Sequence, residues 1–152
     1  MTFRPDNVYI NSPLNSQSIA FSGRWSFVSE GDTNRHLSQS PGDTATIRFR
    51  GQPLCFFILL PDHFGNHYRT LGTAFLLRGT TSPNSGKYSV TLNNQTTALS
   101  ARSSFLAHDT LLFYTTALEP NATHTITIAN EGEGQLALSE DGFRAFAVGS
   151  PE

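Results

Sequence analysis

The sequence predicts an all-β chain folded as an antiparallel β-sandwich. Three observations carry this: apolar residues recur at a period of two, the runs are short, and turn-forming residues break them at regular intervals. In chain order, the strand candidates begin with Ile19–Phe21 and Trp25–Val28. Ala45, Ile47 and Phe49 then alternate with Thr44, Thr46, Arg48 and Arg50, and Ala74–Leu77 follows. Tyr88, Val90 and Leu92 alternate with Ser89, Thr91 and Asn93; Leu111–Thr115 comes next. Ile126 and Ile128 alternate with Thr125, Thr127 and Ala129, and Leu136–Leu138 and Phe143–Val148 close the series. SPGD, SPNSG, EPNA and NEGEG lie between them and supply turn chemistry. Residues 97–106 hold at most a helical turn, and the stretch from Asp32 to His36 reads as a polar loop. The expectation is eight or nine strands in a single domain spanning 1–152, without an internal repeat or a linker.

Because a slip of one residue inverts a strand, the alternation makes a sharp statement about sidedness. Ile47, Phe49, Val90, Leu92, Ile126 and Ile128 should be buried, and Thr46, Arg48, Thr91 and Thr127 exposed.

Composition narrows the partners. At 152 residues the chain can bury an ordinary core, and with a net charge of −2 and 14% charged residues it lacks a basic footprint for nucleic acid. No stretch reaches the ~18 apolar residues of a membrane span, and MTFRPDNVYI lacks the apolar core of a signal peptide. Cys55 is the sole cysteine, so no internal disulfide or cysteine-based metal site is expected. Its apolar setting fits a buried, unreactive thiol. Asn94-Gln95-Thr96 and Asn121-Ala122-Thr123 are N-glycosylation sequons in turn-like stretches, and they favour secretion of the natural parent.

Three stretches, taken together, carry a family resemblance: Ile19-Ala-Phe-Ser-Gly-Arg-Trp25, the run from Gly79 through Lys87-Tyr-Ser-Val-Thr-Leu-Asn93, and the run from Leu111-Leu-Phe-Tyr through His124-Thr-Ile-Thr-Ile-Ala-Asn130. In that order they resemble the ectodomain of a large family from mushroom-forming fungi, built on a galactose-binding-domain-like jelly roll. The resemblance implies a fungal extracellular or cell-surface, carbohydrate-binding module, with a glycan or cell-wall polysaccharide as partner. Members commonly continue into a stalk and a membrane helix; this chain stops at Pro151-Glu152, so no anchor is carried over. Asn93-Asn94 stands where the family has Asp-Gly, an equivalent turn pair. Relatives of this fold often hold a structural Ca²⁺ between the first and last strands, and Asp6, Glu140 and Asp141 are the oxygen ligands at hand.

One segment departs from the pattern. The family passes between two strands through a short F-T-G-T-A step, whereas here Phe49-Arg50-Gly51 and Gly72-Thr73-Ala74-Phe75 are separated by Gln52–Gly72. That is far longer than the usual connection. Deleting it gives FRG-TAFLLRG, which restores the pattern. Two readings stand: a loop with its own apolar hairpin, or a retained intron translated in frame, whose pyrimidine-rich tract reads LCFFILL. On the intron reading the strands on either side are sequential neighbours. The Asp62, His63, His67 and Tyr68 cluster inside it is not expected to bind metal, since Pro61 and Gly65 oppose the helix that His spacing needs.

No nucleophile elbow, Walker loop, dinucleotide fingerprint or zinc-protease motif is present. His108-Asp109 with Ser103 or Ser104 makes a triad only on paper, and Glu131 and Glu133 read as turn carboxylates rather than a glycosidase pair. The expected role is therefore non-enzymatic, with lectin-like binding first, a structural or adhesive ectodomain second and a hydrolase a distant third. A sugar site needs an aromatic platform and fixed polar groups. Trp25 and Tyr114 are the candidate platforms, a core position between the sheets being the competing reading of Trp25. Arg24, Asp32, Asn34, His36 and Asn84 are the candidate polar partners.

Overall fold

The computed structural model describes residues 12–13, 19–50, 68–119 and 122–151. Strands account for about three quarters of them, and no helix occurs among them. The strands are β1 (Ser12–Pro13), β2 (Ile19–Ser22), β3 (Trp25–Glu30), β4 (Thr33–Ser38), β5 (Thr44–Arg50) and β6 (Tyr68–Thr81). They continue as β7 (Lys87–Leu92), β8 (Gln95–Ser100), β9 (Ala107–Leu118), β10 (Thr123–Gly132) and β11 (Leu136–Pro151). One sheet has the order β3-β4-β11-β6-β9 with β1 beside β11; the other runs β2-β5-β10-β7-β8. Only the β3–β4 and β7–β8 connections stay within one sheet; every other pair of consecutive strands lies in opposite sheets.

All named pairings are antiparallel, and the inward residues of both sheets meet in one core. Ala45, Ile47, Phe49, Tyr88, Val90, Ile126 and Ile128 come from the five-stranded sheet, against Phe75, Leu77, Leu136, Leu138 and Phe143 from the other. Burying side chains of this size contributes roughly 1.5–3 kcal/mol each, which makes the pattern a strong determinant of register. Ile47, Phe49, Val90, Ile126 and Ile128 are buried as the alternation requires, and Arg48 is exposed. Leu92, next to a turn, is half-buried against the core. Thr46, Thr91 and Thr127 are half-buried rather than exposed because they stand in one row across neighbouring strands and shield one another. Thr46 and Thr127 hydroxyls lie 3.4 Å apart, those of Thr91 and Thr96 2.9 Å.

Three expectations are corrected and one strand is added. Residues 33–38 form β4 rather than a loop, and 95–100, for which no strand is expected, form β8. Both are polar strands, hairpin partners of neighbours whose apolar periodicity is clearer, so tertiary pairing overrode a weak local signal. The two closing candidates are one strand, β11, interrupted by a bulge. Finally, β5 and β6 lie in different sheets, so they are not hydrogen-bonded neighbours; Phe49 and Phe75 instead stack across the core with centroids 5.5 Å apart. Residues 68–72, counted above with the insertion, belong to β6 and pair with the end of β11. Residues 51–67, with Cys55, Asp62, His63 and His67, lie outside the described residues.

A buried polar clasp closes one end of the sandwich. Asp43 accepts from Ser38 Oγ (2.6 Å) and from the Arg24 amide (2.8 Å), while Asn130 Nδ2 donates to Ser38 Oγ (3.0 Å). These bonds hold the Asp43 carboxyl below its usual range, the Ser38 hydroxyl contributing most. Gly23 belongs to this clasp: its φ is +105°, and a Cβ there would fall 2.0 Å from Asp43 Oδ1.

Candidate functional site

The β3–β4 hairpin carries a row of side chains from core to solvent. Register places Phe27 opposite His36 and His36 opposite Leu138. Leu138 is fully buried, His36 half-buried and Phe27 55% exposed, the gradient running out to β3, the edge strand of the sheet. His36 lies between two rings, Phe21 at 4.4 Å and Phe27 at 5.4 Å in an edge-on contact. Burial pushes its pKa down, outweighing the nearby Glu140 carboxylate that pulls it up. The imidazole is accordingly neutral at physiological pH, able to donate from one nitrogen and accept at the other.

Glu140 connects this row to a small cavity of about 70 Å³ lined by Asp32, Asn34, Asp109, Ser139, Glu140 and Asp141. The cavity forms where β11 leaves β6: the pairing breaks between Leu138 and Phe143. Freed from the ladder, Glu140 and Asp141 are exposed. Gly142 lets the bulge close, since a Cβ would meet the Arg78 carbonyl oxygen at 2.5 Å. Asp109, with φ of +52°, enters from the start of β9. The turn at Gly31 and Asp32 brings the hairpin tip to the same place. Asn34 is held by Ser29 Oγ (2.7 Å), and Arg35 on the same strand pairs with Glu30 (3.1 Å). The volume suits a hydroxyl or hydroxymethyl group rather than a whole sugar ring.

The expected site residues therefore divide. Asp32, Asn34, Glu140 and Asp141 share the cavity, with His36 interacting with Glu140, although the sequence suggests Glu140 and Asp141 for calcium and Asp32, Asn34 and His36 for a sugar. Trp25 is half-buried against the core and gives its indole N–H to the Ser22 and Thr44 carbonyls at 3.1 and 3.0 Å. Arg24 joins the clasp through its backbone. Asn84 is exposed in the Ser82–Ser85 turn, where its carbonyl accepts from the Gln135 amide. Tyr114 stands 48% exposed on β9, in a row with Leu76 and Arg144 on the outward face, away from the cavity lining. Asp6 and Asn121 lie outside the described residues. Among the described residues no group of three His, Cys, Asp or Glu side chains is arranged to hold a metal ion.

Phe27 and Asp109 are not among the binding residues that the sequence suggests. Phe27 shares a face with Trp25 in W-S-F-V, but its exposure goes with the edge position of β3, which the local pattern does not encode. Asp109 carried no signal beyond its neighbour His108. That histidine contacts Thr80 Oγ1 through Nδ1 (3.0 Å), while the Ser103 hydroxyl donates to the Phe105 carbonyl. Glu131 and Glu133 engage Ser89 and Lys87 separately.

The outward positions of the five-stranded sheet carry Ser, Thr, Ala and a few charges instead of aromatic rings. A groove of about 750 Å³ along β7 and β8 and another of about 270 Å³ beside the β7–β8 turn lie on that sheet. No helix among the described residues is long and apolar enough to cross a membrane. No family model and no curated protein matches the chain.

Proposed function

We propose that the chain is a carbohydrate-binding module that takes a saccharide on Phe27 and reads its hydroxyls with the carboxylates and amide of the adjoining cavity. The observation that carries this is the row Leu138–His36–Phe27, which ends in an exposed ring two residues along β3 from Ser29, the register partner of the cavity residue Asn34. A sugar's C–H face stacks on such a ring, and charged acceptors make strong hydrogen bonds to its hydroxyls. A ring rooted in the core through His36 presents that face at small entropic cost on binding.

The finer fold reading is a jelly roll of the galactose-binding-like type. The four-strand orders β4-β11-β6-β9 and β5-β10-β7-β8, with connections that keep crossing between sheets, support it. On that reading the family of fungal surface ectodomains remains the natural home of the chain, acting outside the cell as a binder without catalysis.

A glycan array followed by calorimetric titration of the best saccharide tests the proposal. Phe27→Ala should weaken binding about tenfold, equivalent to ~1.4 kcal/mol, and leave thermal stability nearly unchanged. Asp32→Asn should weaken it less. Binding that is equal in Phe27→Ala and the parent would overturn the site. An array without any hit would favour the structural ectodomain instead.

A further inference from the structure

We infer that Asn94 is an N-glycosylation acceptor whose first sugar lies in the groove beside the β7–β8 turn, so that this face of the five-stranded sheet is covered by the protein's own glycan. Leu92 pairs with Gln95, which leaves Asn93 and Asn94 as a two-residue loop with φ of +46° and +72°. Asparagine tolerates this left-handed pair better than most residues. The two amides then part company. Asn93 is locked to β10, with its side-chain nitrogen on His124 Nδ1 at 2.8 Å and its oxygen taking the Thr125 amide at 3.2 Å. Asn94 is exposed, and its side chain makes no hydrogen bond among the described residues. It heads the sequon Asn94-Gln95-Thr96, and the Thr96 hydroxyl rests against Thr91 on the outward face.

Asn94 also lines the groove of about 270 Å³ together with Thr91, Asn93, Thr125 and Thr127. Its walls are hydroxyls, an amide and threonine methyls, which match the mixed polar and C–H surface of an N-acetylhexosamine, and its volume is that of one ring rather than a chain. In the transfer, Asn94 Nδ2 attacks the anomeric carbon of a lipid-pyrophosphate-linked oligosaccharide. The new C–N bond replaces the C–O bond to the pyrophosphate, which leaves with the electron pair as the amide gives up one proton. Occupancy of the sequon is independent of the Phe27 site, which lies on the other sheet.

The test uses the full chain behind a cleavable secretion leader in a eukaryotic host, read by peptide mass spectrometry. The peptide holding Asn94 should carry a glycan that disappears in Asn94→Asp and Thr96→Ala and returns in Thr96→Ser. Secreted, folded protein with a bare Asn94 would overturn the inference. Placement is read from the threonine methyl resonances of protein trimmed to a single N-acetylglucosamine, against fully deglycosylated protein, in which residue 94 becomes Asp; Asn94→Asp is its matched control. Shifts at Thr125 and Thr127 are expected, and unchanged resonances would overturn the seating in the groove.

Discussion

The two sheets differ in how strictly they keep register. In the five-stranded sheet β2–β5, β5–β10 and β7–β8 pair without interruption, and one shift occurs between Asn130 and Gly132. In the six-stranded sheet β11 slips twice against β6, and β6 slips three times against β9. The regular sheet builds a row of interlocking threonines and a flush apolar face. The irregular one releases backbone and side chains from the ladder, and the candidate site forms at its largest bulge. Regular pairing makes scaffold, whereas broken pairing makes concavity.

The largest expected effect strikes the regular sheet. Ile126→Ala removes a fully buried side chain from its central strand and should cost ~2–5 kcal/mol in chemical denaturation. A loss below about 1 kcal/mol would mean that this sheet is not the rigid half. Gly142→Ala probes the irregular sheet: the new Cβ collides with the Arg78 carbonyl, so the bulge must shift. We expect ~1–3 kcal/mol of destabilisation with a proportionally larger loss of saccharide affinity. If affinity survives while stability drops, the bulge does not shape the site.

Acid acts on the clasp between the sheets. The folded-state pKa of Asp43 is depressed, so its contribution is present above the unfolded value near 4 and is lost as pH falls through the folded value. Stability measured against pH should fall more steeply in acid for the parent than for Asp43→Asn. Parallel curves would show that the clasp carboxylate is not linked to folding. The smallest effect belongs to the threonine row: Thr127→Ala, which deletes the contact to Thr46, should cost ~0.2–1 kcal/mol by thermal melting. A larger loss would promote the outward face from surface to structural element.

Legibility followed the same division. The strands with clean alternation, β5, β7 and β10, are where the period of two placed them, and all belong to the regular sheet. The polar strands β4 and β8 escaped notice because a hairpin partner, not their own composition, makes them strands. Asp32, Asn34, His36, Glu140 and Asp141 were legible as polar candidates by type. Their meeting was not, since residues 32–36 and 140–141 are joined only through the pairing of β4 with β11.

The sequence by itself determined the fold class, the inward faces of the central strands, the left-handed turn at Asn93-Asn94 and the exposure of its sequon. These are local properties, set by side-chain period and by backbone preferences within a few residues. The tertiary structure decided which sheet each strand joined, that β5 and β6 face each other across the core, and that Phe27 rather than Trp25 reaches solvent. It also decided that Asp109 and the β11 bulge complete a cavity with the hairpin tip. Those outcomes depend on where one strand sits relative to another, a placement that no local pattern encodes.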